Sequence, residues 1–103
     1  MHRRYEILLP LRFNDGRPVP DELIAGTIIE IRNRFGAVSS ESQIIHGTWQ
    51  HQSEIYRDEL MRIFIDVEDT AENRTYFLNL KGQIKTRFQQ VDIWLTSYPI
   101  DVL

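Results

Sequence analysis

An α+β sandwich of the ferredoxin-like type is predicted by the order in which apolar periodicities follow one another. Segments of period-two alternation and segments with a helical stripe run strand, helix, strand, strand, helix, strand. In this split βαβ order, right-handed crossovers place both helices on one face of a four-stranded antiparallel sheet. The middle strands, between Gln43 and Glu68, flank the polar turn His51-Gln52-Ser53-Glu54 and read as one long β-hairpin. A chain of 103 residues fits a single domain, 1-103, since neither half alone would hold a sufficient core.

Tyr5, Ile7 and Leu9 alternate with Glu6 and Leu8, as in a first strand with one apolar and one mixed face, ending near Leu11. The loop Phe13-Asn14-Asp15-Gly16-Arg17-Pro18 is rich in residues that tolerate positive φ or lack a ladder donor. Pro20 suits the first helical position, and Asp21 and Glu22 put negative charge at the positive end of the helix dipole. Ile24, Ile28, Ile31 and Phe35 form one stripe, and Gly36 suits the left-handed residue that ends many helices.

After a short polar connection, Gln43 to Gln50 supplies the first arm of the hairpin. In the second, Met61, Ile63, Ile65 and Val67 share one face against Leu60, Arg62, Phe64 and Asp66. Asp69, three residues before Glu72, offers the capping oxygen of a second helix with the stripe Phe77, Leu80, Ile84 and Phe88. Gly82 costs about 1 kcal/mol there relative to alanine, and would let the helix lie close to the sheet. Val91, Ile93 and Leu95 alternate with Asp92, Trp94 and Thr96 in a last strand ending near Tyr98-Pro99. Tyr5, Ile7, Leu9, Met61, Ile63, Ile65, Val67, Val91, Ile93 and Leu95 are thus expected to face the helices. The apolar tail Ile100 to Leu103 is expected to dock on the body or extend the sheet edge.

Fifteen acidic against twelve basic residues give a formal charge of −3, so no global field gathers a polyanion. The absence of cysteine excludes disulfides and thiolate chemistry and permits a reducing compartment, and a cytoplasmic location is expected. The apolar run Tyr5 to Leu9 is too short for export or for a bilayer, and no later run approaches the roughly 20 apolar residues of a membrane helix. A soluble protein is expected.

The hairpin concentrates the groups able to bind or catalyse. With Gln52-Ser53 at the turn, Trp49 stands opposite Tyr56, His46 opposite Glu59 and Gly47 opposite Asp58; Gln-Ser is a poor type I′ sequence, and a bulge or longer loop would swap these partners. The aromatic pair is explained by hairpin stability, at about 0.2–1 kcal/mol. His46 beside Glu59 has the form of a base oriented by a carboxylate. His46 and His51 fall on opposite faces, which argues against a shared metal, and no metal or cofactor is expected. Arg57 could clamp an anion bidentately, although charges at a hairpin tip also serve to discourage edge pairing. RNA recognition is a further alternative for this topology, but the third strand reads Leu60-Met61-Arg62-Ile63-Phe64-Ile65-Asp66, with one aromatic and an acid, and lacks the required aromatic run.

Gly47-x-Trp49, Arg57-x-Glu59 before an apolar strand, and Phe88-Gln89-Gln90-Val91 together resemble a family of small bacterial proteins of unknown function. The resemblance implies a ferredoxin-like fold in a bacterial cell and no catalytic role. From the residues themselves, the sheet face opposite the helices would carry Leu8, Leu60, Phe64, Trp94 and Tyr98, too apolar to stand bare. The expected function is a non-enzymatic binding or regulatory module forming a homodimer through that face and the hairpin, with Leu8, Trp49, Tyr56, Arg57, Leu60, Phe64, Trp94 and Tyr98 in contact with the partner subunit, an unidentified protein or a small-molecule ligand. The alternative is a small enzyme of the dimeric α+β barrel type using His46 or His51 with Tyr56, Asp58 and Glu59.

Overall fold

Strand β1 (His2–Pro10) buries Tyr5, Ile7 and Leu9 on one face, as its alternation requires. The computed structural model describes residues 1–103 and continues with α1 (Asp21–Phe35), β2 (Ser39–Ser40), β3 (Ile45–His51), β4 (Glu54–Glu68), α2 (Ala71–Arg87) and β5 (Leu95–Ile100). β4 pairs antiparallel with β1 from His2↔Glu68 to Pro10↔Leu60, and β1 pairs with β5 from His2↔Ile100 to Ile7↔Leu95. The strand order is β2-β4-β1-β5, with β3 also on β4, so the architecture is the α+β ferredoxin-like fold with a five-stranded antiparallel sheet.

The fifth strand arises because the expected second strand is interrupted. Ser39 and Ser40 pair with Phe64 and Ile63, whereas pairing resumes at Ile45↔Leu60. Residues 41–44 thus oppose only Met61 and Arg62, and two extra residues bulge from the ladder. Because two is even, facing is preserved from β2 to β3; the hairpin itself has the register of a two-residue turn, with Trp49↔Tyr56, His46↔Glu59 and Gly47↔Asp58. Gln52 and Ser53 both take positive φ, 50° and 68°, the values a two-residue primed turn needs, although neither is glycine or asparagine.

The core lies between the sheet and the helices. Ile31 of α1 and Phe77, Leu80, Ile84 and Phe88 on the α2 side are buried against Tyr5, Ile7, Leu9, Ile63, Ile65 and Val67. Tyr5 stacks on Phe77 with ring centroids 4.0 Å apart, and Phe35 stacks on the same ring at 5.3 Å. Between the helices Arg87 donates to Thr27 Oγ1 at 2.9 Å and to Glu30 at 3.1 Å, while Thr27 donates to the Leu23 carbonyl. Gly36, at φ 85°, ends α1 as its sequence position requires. No helix is long and apolar enough to cross a membrane.

Several expectations are corrected. Pro20 precedes α1 as its cap rather than opening it, and Thr70, not Asp69, caps α2 by accepting from the Asn73 N–H at 3.1 Å. Nothing lies within 4 Å of a Cβ built on Gly82, so that glycine serves no close approach to the sheet. The last strand begins at Leu95 rather than Val91. Gln89 takes φ 54° and Asp92 accepts from the Ile93 N–H at 2.9 Å, so Gln89 to Trp94 forms a loop in which Ile93 is buried and Val91 is exposed. Pro99 is accommodated inside β5 because that strand has a neighbour on one side only. Beyond Ile100 the tail is exposed and extends no strand.

Candidate binding groove

Beyond Leu60 the hairpin leaves the body as an arm, β3 being paired with β4 and with no other strand. On one face of the arm Trp49 stacks on Tyr56 with centroids 4.3 Å apart and planes at 14°. The Trp49 indole donates its Nε1–H to Asp58 Oδ2 at 2.5 Å. Gly47 stands directly opposite Asp58, and a Cβ there would stand 3.1 Å from Leu60 Cδ1, so the glycine lets the Leu60 side chain close in.

Facing the arm is the loop from Gln89 to Trp94. Phe88, fully buried, anchors it, and the Gln90 N–H donates to the Lys85 carbonyl at 2.9 Å. At its far end the Trp94 carbonyl accepts from the Leu8 N–H at 3.1 Å. Burial would raise the Asp92 carboxyl, but the Ile93 N–H and the Lys81 ammonium 3.3 Å away hold it below the usual carboxylate range.

Between arm and loop lies a groove of about 700 Å³, with Leu8, Pro10, Leu60 and Ile93 as its apolar lining, Trp49 and Trp94 on its walls, and Asp58, Asp92 and Lys85 as its charged groups. Such a mixture, mostly apolar with a few placed charges, suits a small organic ligand. Both tryptophans of the chain line it.

The remainder of the open sheet face is organised by charge. Arg4 makes a bidentate pair with Asp66 at 2.7 and 2.9 Å, and Arg62 bridges Glu6 and Glu41. The Tyr98 hydroxyl donates to Glu6 Oε1 at 2.7 Å. The guanidinium groups of Arg4 and Arg62 lie 4.6 and 4.5 Å from the centroid of Phe64. Hydrogen bonding from Arg62 holds the Glu6 carboxyl below its ordinary range, and Arg4 does the same for Asp66. The bare apolar face that the sequence implied is therefore confined to the groove end, since cations cover Phe64.

Of the residues singled out in the sequence, Leu8, Trp49, Asp58, Leu60 and Trp94 meet at the groove, along with His51, and Tyr56 joins them by stacking on Trp49. His46 and Glu59 stand opposite each other as expected, but on the other face of the arm, and Glu59 pairs instead with Arg12 at 3.3 Å. The His46–Glu59 couple therefore stays apart from Tyr56 and Asp58. Arg57 is exposed, and Phe64 and Tyr98 belong to the charged ladder. Lys85 has no signal in the sequence, and Gln90 enters only through the resemblance, not as a site residue. The Phe88-Gln89-Gln90-Val91 fragment was the available signal, read as the start of a strand because its apolar residues alternate with those that follow. No group of three or more His, Asp or Glu side chains is placed to hold a metal ion.

Fold and groove together define a ferredoxin-like α+β protein with an arm-walled cleft. Among solved structures, the chain is similar to a phage SAM lyase in complex with S-methyl-5'-thioadenosine, with a TM-score of 0.72 and 18% identity over 94% of this chain and 80% of that one. It is also similar to the divalent cation tolerance protein CutA1 from Thermus thermophilus, with a TM-score of 0.64 and 15% identity over 97% and 84% of the two chains. A third likeness is to the periplasmic divalent cation tolerance protein CutA from Archaeoglobus fulgidus, with a TM-score of 0.64 and 12% identity over 99% and 86%. No protein-family model and no curated protein matches the chain. At these identities the likeness is one of fold.

Proposed function

We propose that this chain is a self-associating binding module that takes a small organic ligand into the groove between the arm and the 89–94 loop. One observation carries the reading: an arm paired with nothing but itself provides a wall, built from Trp49 and Asp58, of a cavity of about 700 Å³. A two-stranded ribbon is marginal alone in water, and this one leaves Ile55 60% exposed, so a second copy covering the arm would steady the wall as well. A homodimer in the cytoplasm is the simplest assembly of that kind.

Both tryptophans line the groove, so their fluorescence reports its occupancy. Titration with S-methyl-5'-thioadenosine is expected to shift or quench the emission of the full chain, and Leu60→Arg, which fills the groove, is expected to abolish the change. An unchanged emission up to millimolar nucleoside would remove this ligand class.

A second reading, a small enzyme, is favoured by the likeness to the SAM lyase. Incubation of the chain with S-adenosylmethionine, followed by chromatography, would then yield S-methyl-5'-thioadenosine above the uncatalysed background. Asp58→Asn would suppress the yield, and a yield equal to the blank would sink the enzymatic reading while leaving binding open.

A further inference from the structure

The arm has a second face, on which Ile55 and Arg57 near the tip stand outside the lining of the groove. Ile55 stands there opposite Gln50 and Arg57 opposite Thr48. Ile55 is 60% exposed, and Arg57 is exposed and joins none of the ion pairs of the chain. The 89–94 loop presents the complementary surface. Trp94 is 66% and Val91 39% exposed, and the Asp92 side chain beside them is 55% exposed despite its contact with Lys81. One surface is apolar with a free cation, the other apolar with a carboxylate.

Within one molecule the two cannot meet. Trp49 and Asp58 turn toward the groove that Trp94 lines, so strand alternation points Ile55 and Arg57 the other way. We infer that the outer face of the arm docks on the 89–94 loop of a second copy, Ile55 against Val91 and Trp94, with Arg57 set over the Trp94 indole beside Asp92. A guanidinium suits this place because it stacks on an indole and binds a carboxylate in the same plane. Since Trp94 and Asp92 line the groove, Arg57 of the partner subunit would stand at its mouth, and the ligand site would be shared between copies. The inference rests on the reading of the chain as self-associating and specifies the contact.

The test is complementation, read as mass by light scattering on the full chain. Arg57→Glu spoils the arm and leaves the loop; Trp94→Glu does the reverse. Neither residue belongs to the buried core, and a cooperative thermal transition from a wild-type circular dichroism spectrum establishes that both variants fold. Each variant alone is expected to associate at least about tenfold more weakly and run as single copies. Their equimolar mixture retains one good arm and one good loop and is expected to give a two-copy species. Arg57→Lys should associate more weakly than wild type but better than Arg57→Glu. Two results overturn the contact: variants that assemble as the wild type does, or a mixture that stays monomeric. If replacing residues 47–57 by a short turn dissociates an assembly that Arg57→Glu leaves intact, the docking fails while self-association stands. A wild-type chain found as single copies at all concentrations removes both.

Discussion

Strand β4 passes through two environments within fifteen residues. From Met61 to Glu68 it lies against β1, with the helices over one face, and Ile63, Ile65 and Val67 are buried at 0, 2 and 6% exposure. From Glu54 to Glu59 it is paired only with β3 along the arm, and no residue is fully buried. The backbone is the same extended ribbon in both halves. Burial is what differs, and the comparison teaches that the body is held by long-range packing while the arm is held by its ladder and one stacked pair.

The sharpest way to break the comparison is to strike each half at its aromatic stack. Phe77→Ala removes a fully buried ring packed on Tyr5 and Phe35 and is expected to cost about 3–5 kcal/mol by urea unfolding. Trp49→Ala on the arm is expected to cost at most about 1 kcal/mol globally. A loss from Trp49→Ala comparable to that from Phe77→Ala would show that arm and body unfold as one packed unit.

Acid acts on the open face of the body. Glu6 and Asp66 have folded pKa values below their unfolded ones, so their stabilisation is full above the ordinary carboxylate range and is lost as pH falls below about 4. Arg62→Met is expected to cost about 1–2 kcal/mol at pH 7 and to flatten the acid limb of the stability curve. Urea midpoints at pH 7 and pH 3 for both chains measure this, and parallel curves would discount the ladder. Gly82→Ala, open on all sides, is expected to stabilise the body by about 1 kcal/mol. The smallest global effect belongs to the turn. Ser53→Gly relieves a φ of 68° worth about 1 kcal/mol, visible as slower amide exchange in β3 with the global midpoint unchanged. A shifted midpoint would again couple arm to body.

Most of the fold was legible because its signals are local and periodic. The stripe Phe77, Leu80, Ile84 and Phe88 is buried throughout, and Gly36 stops α1 where a left-handed residue was anticipated. The hairpin has the register that a two-residue Gln52-Ser53 turn implies, but the sequence left it open, since neither residue is a favoured primed-turn former. Other features depend on tertiary context. Val91 alternates with Ile93 and Leu95 as a strand would, but the positive φ of Gln89 and the Asp92 side chain bend the chain there. Phe64 counts as apolar in any sequence reading, and only the approach of Arg4 and Arg62 covers it. At the site, the arm residues were visible as a cluster around one turn. Lys85 and Gln90 were not, since the packing of α2 and the turn after it bring them to the groove that Trp49 lines.

The outer strands of the sheet differ in one respect that bears on handling the protein. β5 carries Pro99, which has no N–H to offer an incoming strand. β3 presents seven residues of edge backbone with neither proline nor lysine among them. Concentration, freezing or partial unfolding should therefore nucleate aggregation along β3 before β5. A lysine at Thr48 or Gln50, whose side chains are exposed, is the substitution that would keep the chain in solution at high concentration.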